Sequence, residues 1–221
     1  MKMFKRLVAT TALAVGLTGA AFADADSEAF VSNNANEVLS TLNQPSLTDE
    51  ERVAQFANYM DKFANMDEIA RLVLGQYGRD LDPEVKARYT ETFRRYALAV
   101  YESQLDQFRG EEIKIISSQD RKKRRESIVV TEVQAADQDK TLMVLWRLRG
   151  EKDADDYRVI DVGLNLDGSI LWLMDNQRQQ FEQKLSQSRG DVNVIIDWMN
   201  DWITTYRNGG EVEGVISDKK S

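Results

Sequence analysis

The chain contains no histidine and no cysteine, and it has only two prolines among its 221 residues. Without histidine it lacks the commonest general base, the commonest metal ligand and the central member of a Ser-His-Asp triad. Without cysteine it can form no disulfide, thiol nucleophile or thiolate metal site. No glycine-rich phosphate loop, calcium-binding loop or nucleophile elbow occurs either. We therefore expect no catalytic residue, no cofactor and no metal, although catalysis by paired carboxylates or by serine and lysine stays open.

Long apolar runs are also absent, except at the N-terminus. The first six residues include three basic side chains, and residues 7–21 carry no charge. Ala21 and Ala23 then place small residues at the two positions that signal peptidase reads. A run of about 15 apolar residues is shorter than the roughly 20 that span a bilayer. The pattern predicts a cleaved signal peptide over residues 1–23, and hence an exported, soluble protein without stable membrane insertion.

The chain has 37 acidic and 29 basic residues, a net charge of −8. Three of the basic residues lie in the predicted signal peptide, so 26 against 37 gives the remaining chain a net charge of −11. A negative charge of this size disfavours general nucleic-acid binding, which depends on neutralising phosphates. We expect no nucleic-acid partner.

One segment has the opposite charge. It is either a solvated turn or a docking patch for anionic lipid head groups or an acidic partner. Its five consecutive basic residues are Arg121, Lys122, Lys123, Arg124 and Arg125.

Up to about residue 108 the apolar residues recur with the period of a helix. Thr48 and Glu51 form a capping-box pattern that begins one helix. Gly75 and Gly78 end a later one. Asp82-Pro83 then provides an N-cap and a first helical residue for a long helix, whose inward stripe is mostly aromatic.

After Gly110 the period changes from that of a helix to that of a strand. Four strand-like runs follow, and then a helix from about Ser169 to Ser186 and a last helix beginning at Gly190-Asp191. The predicted fold is α+β, with several helices packed on one face of a twisted antiparallel sheet of about four strands. Residues 24–207 are expected to form one domain, and residues 208–221 a flexible C-terminal tail. The four runs span residues 111–117, 126–133, 141–149 and 156–164.

Several segments together resemble one protein family. The segment "NMDEIARLVLGQYGR" matches that family's "LG-x-Y/W" helix end at Leu74-Gly75 and Tyr77. The segments "FRRYALAVY", "YRVIDV" and "NQRQQF" are similar to its aromatic helix, its final strand and an "N-x-R-x-x-F" pattern on the next helix. In their order and spacing, over roughly residues 28–205, these segments resemble the MlaC-type, or toluene-tolerance, family of periplasmic phospholipid-binding proteins.

The resemblance implies a soluble periplasmic carrier with a cavity for acyl chains between its helices and its sheet. It also implies a role in outer-membrane lipid asymmetry. The expected partners are an outer-membrane lipoprotein complex and an inner-membrane ABC transporter with an MCE-domain ring, for which the chain would be the substrate-binding component. A sterol-like or hopanoid lipid is an alternative cargo.

From periodicity alone, the aromatic stripe between Tyr89 and Tyr101 could be ordinary core or the wall of a ligand cavity. With the resemblance, we predict a cavity lined by residues on apolar helix and strand faces. The predicted lining residues are Phe56, Met60, Leu74, Tyr77, Phe93, Tyr96, Val100, Ile128, Val130, Leu142, Val144 and Trp146.

Two other functions stay open. An enzyme using a buried carboxylate would show a strongly raised pKa on an acid in the cavity, for example Asp161. An interaction module would have a solid core without an internal void, and the basic run would be its working surface.

Overall fold

The computed structural model describes most of the chain. Four segments lie outside the described residues: the predicted signal peptide, the middle of the basic run, the predicted end of the long aromatic helix and most of the predicted tail. The predicted domain bounds therefore stay a prediction. The described residues are 25–102, 110–121, 125–135, 141–150, 156–166 and 168–212.

The helices begin where local side-chain chemistry favours a start. The Thr48 hydroxyl accepts the Glu51 N–H at 3.2 Å, and the Glu51 carboxylate accepts the Thr48 N–H at 2.9 Å, as the capping-box pattern predicts. The Asp82 carboxylate accepts the N–H of Glu84 at 2.8 Å, which caps the long helix. The helices are α1 Ala25–Leu42, α2 Asp49–Phe63, α3 Met66–Leu74, α4 Pro83–Glu102, α5 Leu173–Gln187 and α6 Val192–Arg207, with a 3-10 turn at Gly75–Gly78.

The strands form one antiparallel sheet in which each strand pairs with the next one in sequence, in the order β1-β2-β3-β4-β5. The predicted α+β class is therefore confirmed, with five strands where the sequence indicated about four. The strands are β1 Gly110–Arg121, β2 Glu126–Ala135, β3 Thr141–Arg149, β4 Arg158–Leu166 and β5 Ser169–Trp172.

The fifth strand occupies residues predicted to begin a helix. Ser169–Trp172 pairs with β4 through a turn at Gly168, whose φ of 91° suits glycine. Gly163 lies opposite Trp172 in this pairing, and a Cβ at Gly163 would sit 3.1 Å from the Trp172 ring. The bare backbone of Gly163 therefore makes room for the indole. The prediction that the helix starts at Ser169 is wrong, and α5 begins at Leu173.

The described residues form two adjoining cores. One lies among α3, α4, α5 and α6, and at its centre the fully buried Phe181 ring contacts Tyr89, Phe93, Tyr96 and Trp198. The other lies between α1 and one face of the sheet, where apolar side chains of α1 meet those of β1 to β4. Aromatic edges in the first core pack against ring faces, the arrangement that ring quadrupoles favour.

Polar contacts fix the helices to one another and to the sheet. Arg88 and Arg95 of α4 donate to the side-chain oxygens of Asn193 and Asn200 of α6, at 2.7 and 3.2 Å.

Arg149 of β3 forms ion pairs with Glu68 of α3 and Glu126 of β2. The Asn65 N–H, between α2 and α3, donates to the Val159 carbonyl of β4 at 3.1 Å. The start of α3 is thus held against β4.

Candidate functional site

A cavity of about 280 Å³ lies where the two cores meet. This is roughly twenty times the space that one buried water molecule needs. Its wall is formed by side chains from α1 to α5 and from β1 to β4. A partly open cavity therefore lies between the helical layer and the sheet, whereas the interaction-module alternative expected a solid core.

Seven of the twelve predicted lining residues lie on this wall. Whether they contact a ligand stays a prediction. Phe56 and Met60 come from α2, Phe93, Tyr96 and Val100 from α4, and Val144 and Trp146 from β3.

The other five predicted residues lie elsewhere. Leu74 is buried in the helical core, and Tyr77 lies against Gly190 at the α5–α6 turn. Ile128 and Val130 pair with Arg147 and Leu145, so they point to the outer face of the sheet, away from the helices. Leu142 is partly buried beside the α1–sheet core, away from the cavity wall.

The predicted set contains no residue of α1, although α1 supplies a large part of the wall. Phe30, Val31, Ala35 and Leu39 are buried and line the cavity. The helical spacing of Val31, Ala35 and Leu39 is visible in the sequence. That stripe could have identified them as part of the lining.

Most polar groups on the wall have partners within the protein. The Trp146 indole N–H donates to the Thr131 hydroxyl at 2.9 Å. The Tyr96 hydroxyl donates to the Gln177 side-chain oxygen at 3.2 Å. The Tyr59 and Thr41 hydroxyls are 2.6 Å apart. These pairings satisfy the polar atoms and leave ring faces and aliphatic groups toward the cavity, so the wall suits an apolar ligand.

Among the described residues that line the cavity, Asp161 alone has a charged side chain. Its Oδ1 accepts the N–H of Val162 and of Met174, both at 2.9 Å. Met174 lies in the first turn of α5, so the β4 carboxylate caps a helix that has no side-chain cap of its own. Its Oδ2 lies 3.3 Å from Nη1 of Arg147, whose guanidinium stacks on the Trp172 ring at 4.1 Å.

Burial raises the pKa of Asp161 from 3.8 to about 6, against the opposing effects of the Met174 N–H and the Arg147 charge. Burial, together with the Asp161 charge, also raises the pKa of Tyr101 on α4. The raised pKa of Asp161 is what the enzyme alternative expected of a cavity acid. The carboxylate, however, is fully buried and already serves as a helix cap and ion-pair partner.

The raised pKa predicts how stability depends on pH. The native state binds the Asp161 proton more tightly than the unfolded state does. The protonated carboxyl group therefore adds to the free energy of unfolding below pH 3.8, and this contribution is lost as pH rises to about 6. The full loss is about 3 kcal/mol, at about 1.4 kcal/mol for each pKa unit. Asp161→Asn should remove this dependence. Urea unfolding of both proteins at pH 4.5 and 7.5 measures it, and parallel pH profiles would contradict the assignment.

The two described residues of the basic run lie at the ends of neighbouring strands. Arg121 ends β1, and Arg125, with a φ of 54°, precedes β2. Residues 122–124 lie outside the described residues. A docking role for this run stays a prediction.

Helices in the part of the chain that the structure describes are too short or too polar to cross a membrane. Curated proteins yielded no significant match. One solved structure with the same fold is a phospholipid-binding protein from Ralstonia solanacearum in complex with a phospholipid. It is 18% identical in sequence, with a TM-score of 0.67, and the match covers 83% of this chain and 99% of that one. The model of the family described as MlaC protein matches residues 32–201, and the chain therefore belongs to the MlaC family.

Proposed function

We propose that the protein is a carrier that binds the acyl chains of a phospholipid in the cavity between its helices and its sheet. The observation that carries the proposal is the apolar wall of that cavity, whose polar side chains mostly have hydrogen-bond partners within the protein. Membership of the MlaC family supports it. The phospholipid in the Ralstonia protein of the same fold supports it further.

Without a carrier, exposing the acyl chains to water costs a large free energy. Two 16-carbon chains contain about 30 methylenes, and exposure to water costs about 0.8 kcal/mol for each, or roughly 24 kcal/mol in total. A protein that covers the chains removes most of this barrier to crossing an aqueous compartment. Apolar lining is sufficient for that task, and histidine and cysteine, which the chain lacks, are not needed for it.

We further propose that the protein works in the periplasm and shuttles lipid between the outer and inner membranes. Its partners would be an outer-membrane lipoprotein complex and an inner-membrane ABC transporter with an MCE-domain ring. Family membership supports these assignments. The signal-peptide pattern of residues 1–23 supports export.

Binding rather than catalysis is favoured by the surroundings of Asp161. A general acid or base must reach a substrate proton, directly or through one water molecule. Oδ1 of Asp161 instead accepts two backbone N–H groups, and Oδ2, which makes no hydrogen bond, is buried 3.3 Å from the Arg147 guanidinium.

The test is native mass spectrometry of the protein purified from a bacterial periplasm without detergent, followed by lipid extraction. We expect a mass excess that resolves into phospholipid species. Extraction of a hopanoid or a sterol-like lipid would keep the carrier function and change its cargo. A bare mass that stays bare after incubation with phospholipid vesicles would contradict the proposal.

A matched pair of β3 variants links the bound lipid to the cavity. Val144 is buried and lines the cavity, whereas the adjacent Met143 points to the outer face and is 38% exposed. Val144→Asp brings a carboxylate against the acyl chains, and we expect about a tenfold or greater loss of bound lipid, since tenfold corresponds to only about 1.4 kcal/mol. Met143→Asp should keep its lipid. Equal lipid recovery from the two folded variants would contradict the assigned wall.

A further inference from the structure

Helix α2 closes one side of the cavity, yet it has no buried residue. Its side chains Phe56, Tyr59, Met60 and Phe63 line the cavity, and all four are only half-buried. In the part of the chain that the structure describes, each of the other five α-helices contributes several buried side chains to a core. Helix α2 therefore covers the cavity without anchoring a buried side chain in either core.

The two ends of α2 allow it to move as a unit. The capping box of Thr48 and Glu51 keeps its first turn intact without help from other elements. At the other end, Ala64 has extended backbone angles, and Asn65 begins α3 as its N-cap. The bond from the Asn65 N–H to the Val159 carbonyl of β4 fixes this joint in place. Rotation of a few backbone bonds at a fixed joint is how hinged elements move.

Exposed ion pairs hold α2 against its neighbours, together with the Tyr59–Thr41 hydroxyl pair and the edge contact of Phe63 with Phe30. On the α1 side, the Lys62 ammonium lies 3.2 Å from the Glu37 carboxylate, and both side chains are about half exposed. On the α4 side, Asp61 forms an ion pair with Arg94, again with both side chains about half exposed. Exposed ion pairs of this kind contribute little to stability, and solvent can replace them. They suit a contact that opens and closes.

We propose that α2 is a lid that turns about the Ala64–Asn65 joint to admit and release acyl chains, and that its side-chain pairs with α1 and α4 hold it closed. This inference rests on the proposed carrier function and adds the route of the ligand. An acyl chain that leaves beneath α2 keeps the ring of Phe56 and the side chain of Met60 in apolar contact while the lid is open. Opening then exposes less apolar surface to water than it would in the empty protein.

The absence of cysteine makes the lid straightforward to test. In Glu37→Cys/Lys62→Cys, the two new thiols are the only ones in the chain, and both lie at the exposed α1–α2 ion pair. A short bis(methanethiosulfonate) reagent can bridge them, and a reductant releases the bridge. The readout is transfer of fluorescently labelled phosphatidylethanolamine between vesicles of phosphatidylethanolamine and phosphatidylglycerol. We expect bridging to slow transfer about tenfold or more, and reduction to restore it.

A bridge elsewhere controls for the reagent. Arg95→Cys/Asn200→Cys links α4 to α6 at another exposed hydrogen bond, between residues that do not line the cavity. Its transfer rate should stay within about twofold of the unbridged protein, because these helices belong to the packed core. Unchanged transfer by the protein bridged at α2 would overturn the lid, while the carrier function would stand. A reduced protein that neither holds nor transfers phospholipid would instead overturn the carrier function, and the lid with it.

Discussion

Ala97→Trp should empty the protein of lipid and make the lipid-free protein more stable. Ala97 lies on α4, is buried and lines the cavity. An indole at this position would occupy part of the 280 Å³ that we assign to acyl chains. Bound phospholipid should fall about tenfold or more, while filling the void should add about 0.5–2 kcal/mol to the unfolding free energy.

The opposite signs of the two effects make this variant informative. A substitution that merely damages the fold would lower lipid content and stability together. Ala87→Trp is the matched control, because Ala87 is exposed on the same helix. It should change neither quantity measurably. Lipid extraction and urea unfolding of delipidated protein provide the two measurements, and full lipid content in Ala97→Trp would rule out this void as the binding site.

Phe181→Ala should destabilise the protein by about 3–5 kcal/mol. Phe181 is 0% exposed, and its ring packs against four other aromatic rings from α4 and α6. Removal of the ring leaves a hole that rigid aromatic neighbours fill poorly. Because natural domains are stable by only about 5–15 kcal/mol, the loss should be a large fraction of the total.

The same variant distinguishes a contribution to the stability of the core from a contribution to lipid binding in the cavity. Phe181 does not line the cavity, so the folded fraction of Phe181→Ala should still contain lipid in the wild-type ratio. Val194→Ala, on an α6 residue that is 40% exposed, should stay within about 0.5 kcal/mol of wild type. Urea unfolding gives the stabilities. A loss below about 1 kcal/mol in Phe181→Ala would contradict its central place in the core.

Short-range chemistry made the helix starts predictable. The capping box at Thr48 and Glu51, and the cap at Asp82, each depend on residues within three positions of one another. Their geometry is nearly complete once the local backbone is helical. The strand that begins at Ser169 was not predictable in this way. Its four residues are too few to show a period, and its pairing depends on the space above Gly163 in another strand.

The inward face of the sheet was likewise not determined by the sequence. Alternation in β2 shows that Ile128 and Val130 share one face and that Val129 and Thr131 share the other. The choice between the faces depends on the register with β3, which pairs Val129 with Trp146. That register brings Val129 and Thr131 to the helical side. Both faces of β2 carry apolar residues, so alternation alone leaves open whether Ile128 and Val130 or their neighbours face inward.

The aromatic stripe of α4 serves both as core and as cavity wall. Phe93 and Tyr96 contact Phe181 in the helical core, and both also line the cavity. Periodicity shows that a helix face is buried but not what lies against it.

The capping of α5 by Asp161 depends on a contact between residues 13 positions apart, across the β4–β5 hairpin, and has no local signature.

The hydrogen bonds from Arg88 to Asn193 and from Arg95 to Asn200 each join residues 105 positions apart, with the whole sheet between them in sequence. The sheet itself pairs only strands that follow one another, so its hairpins can form early and independently. The aromatic core behind the cavity cannot. Its first half, α3 and α4, must wait with its apolar face uncovered until α5 and α6 have been made. We therefore expect the sheet to form before the aromatic core closes, and the helical side of the cavity to be complete only once α5 has packed against α4.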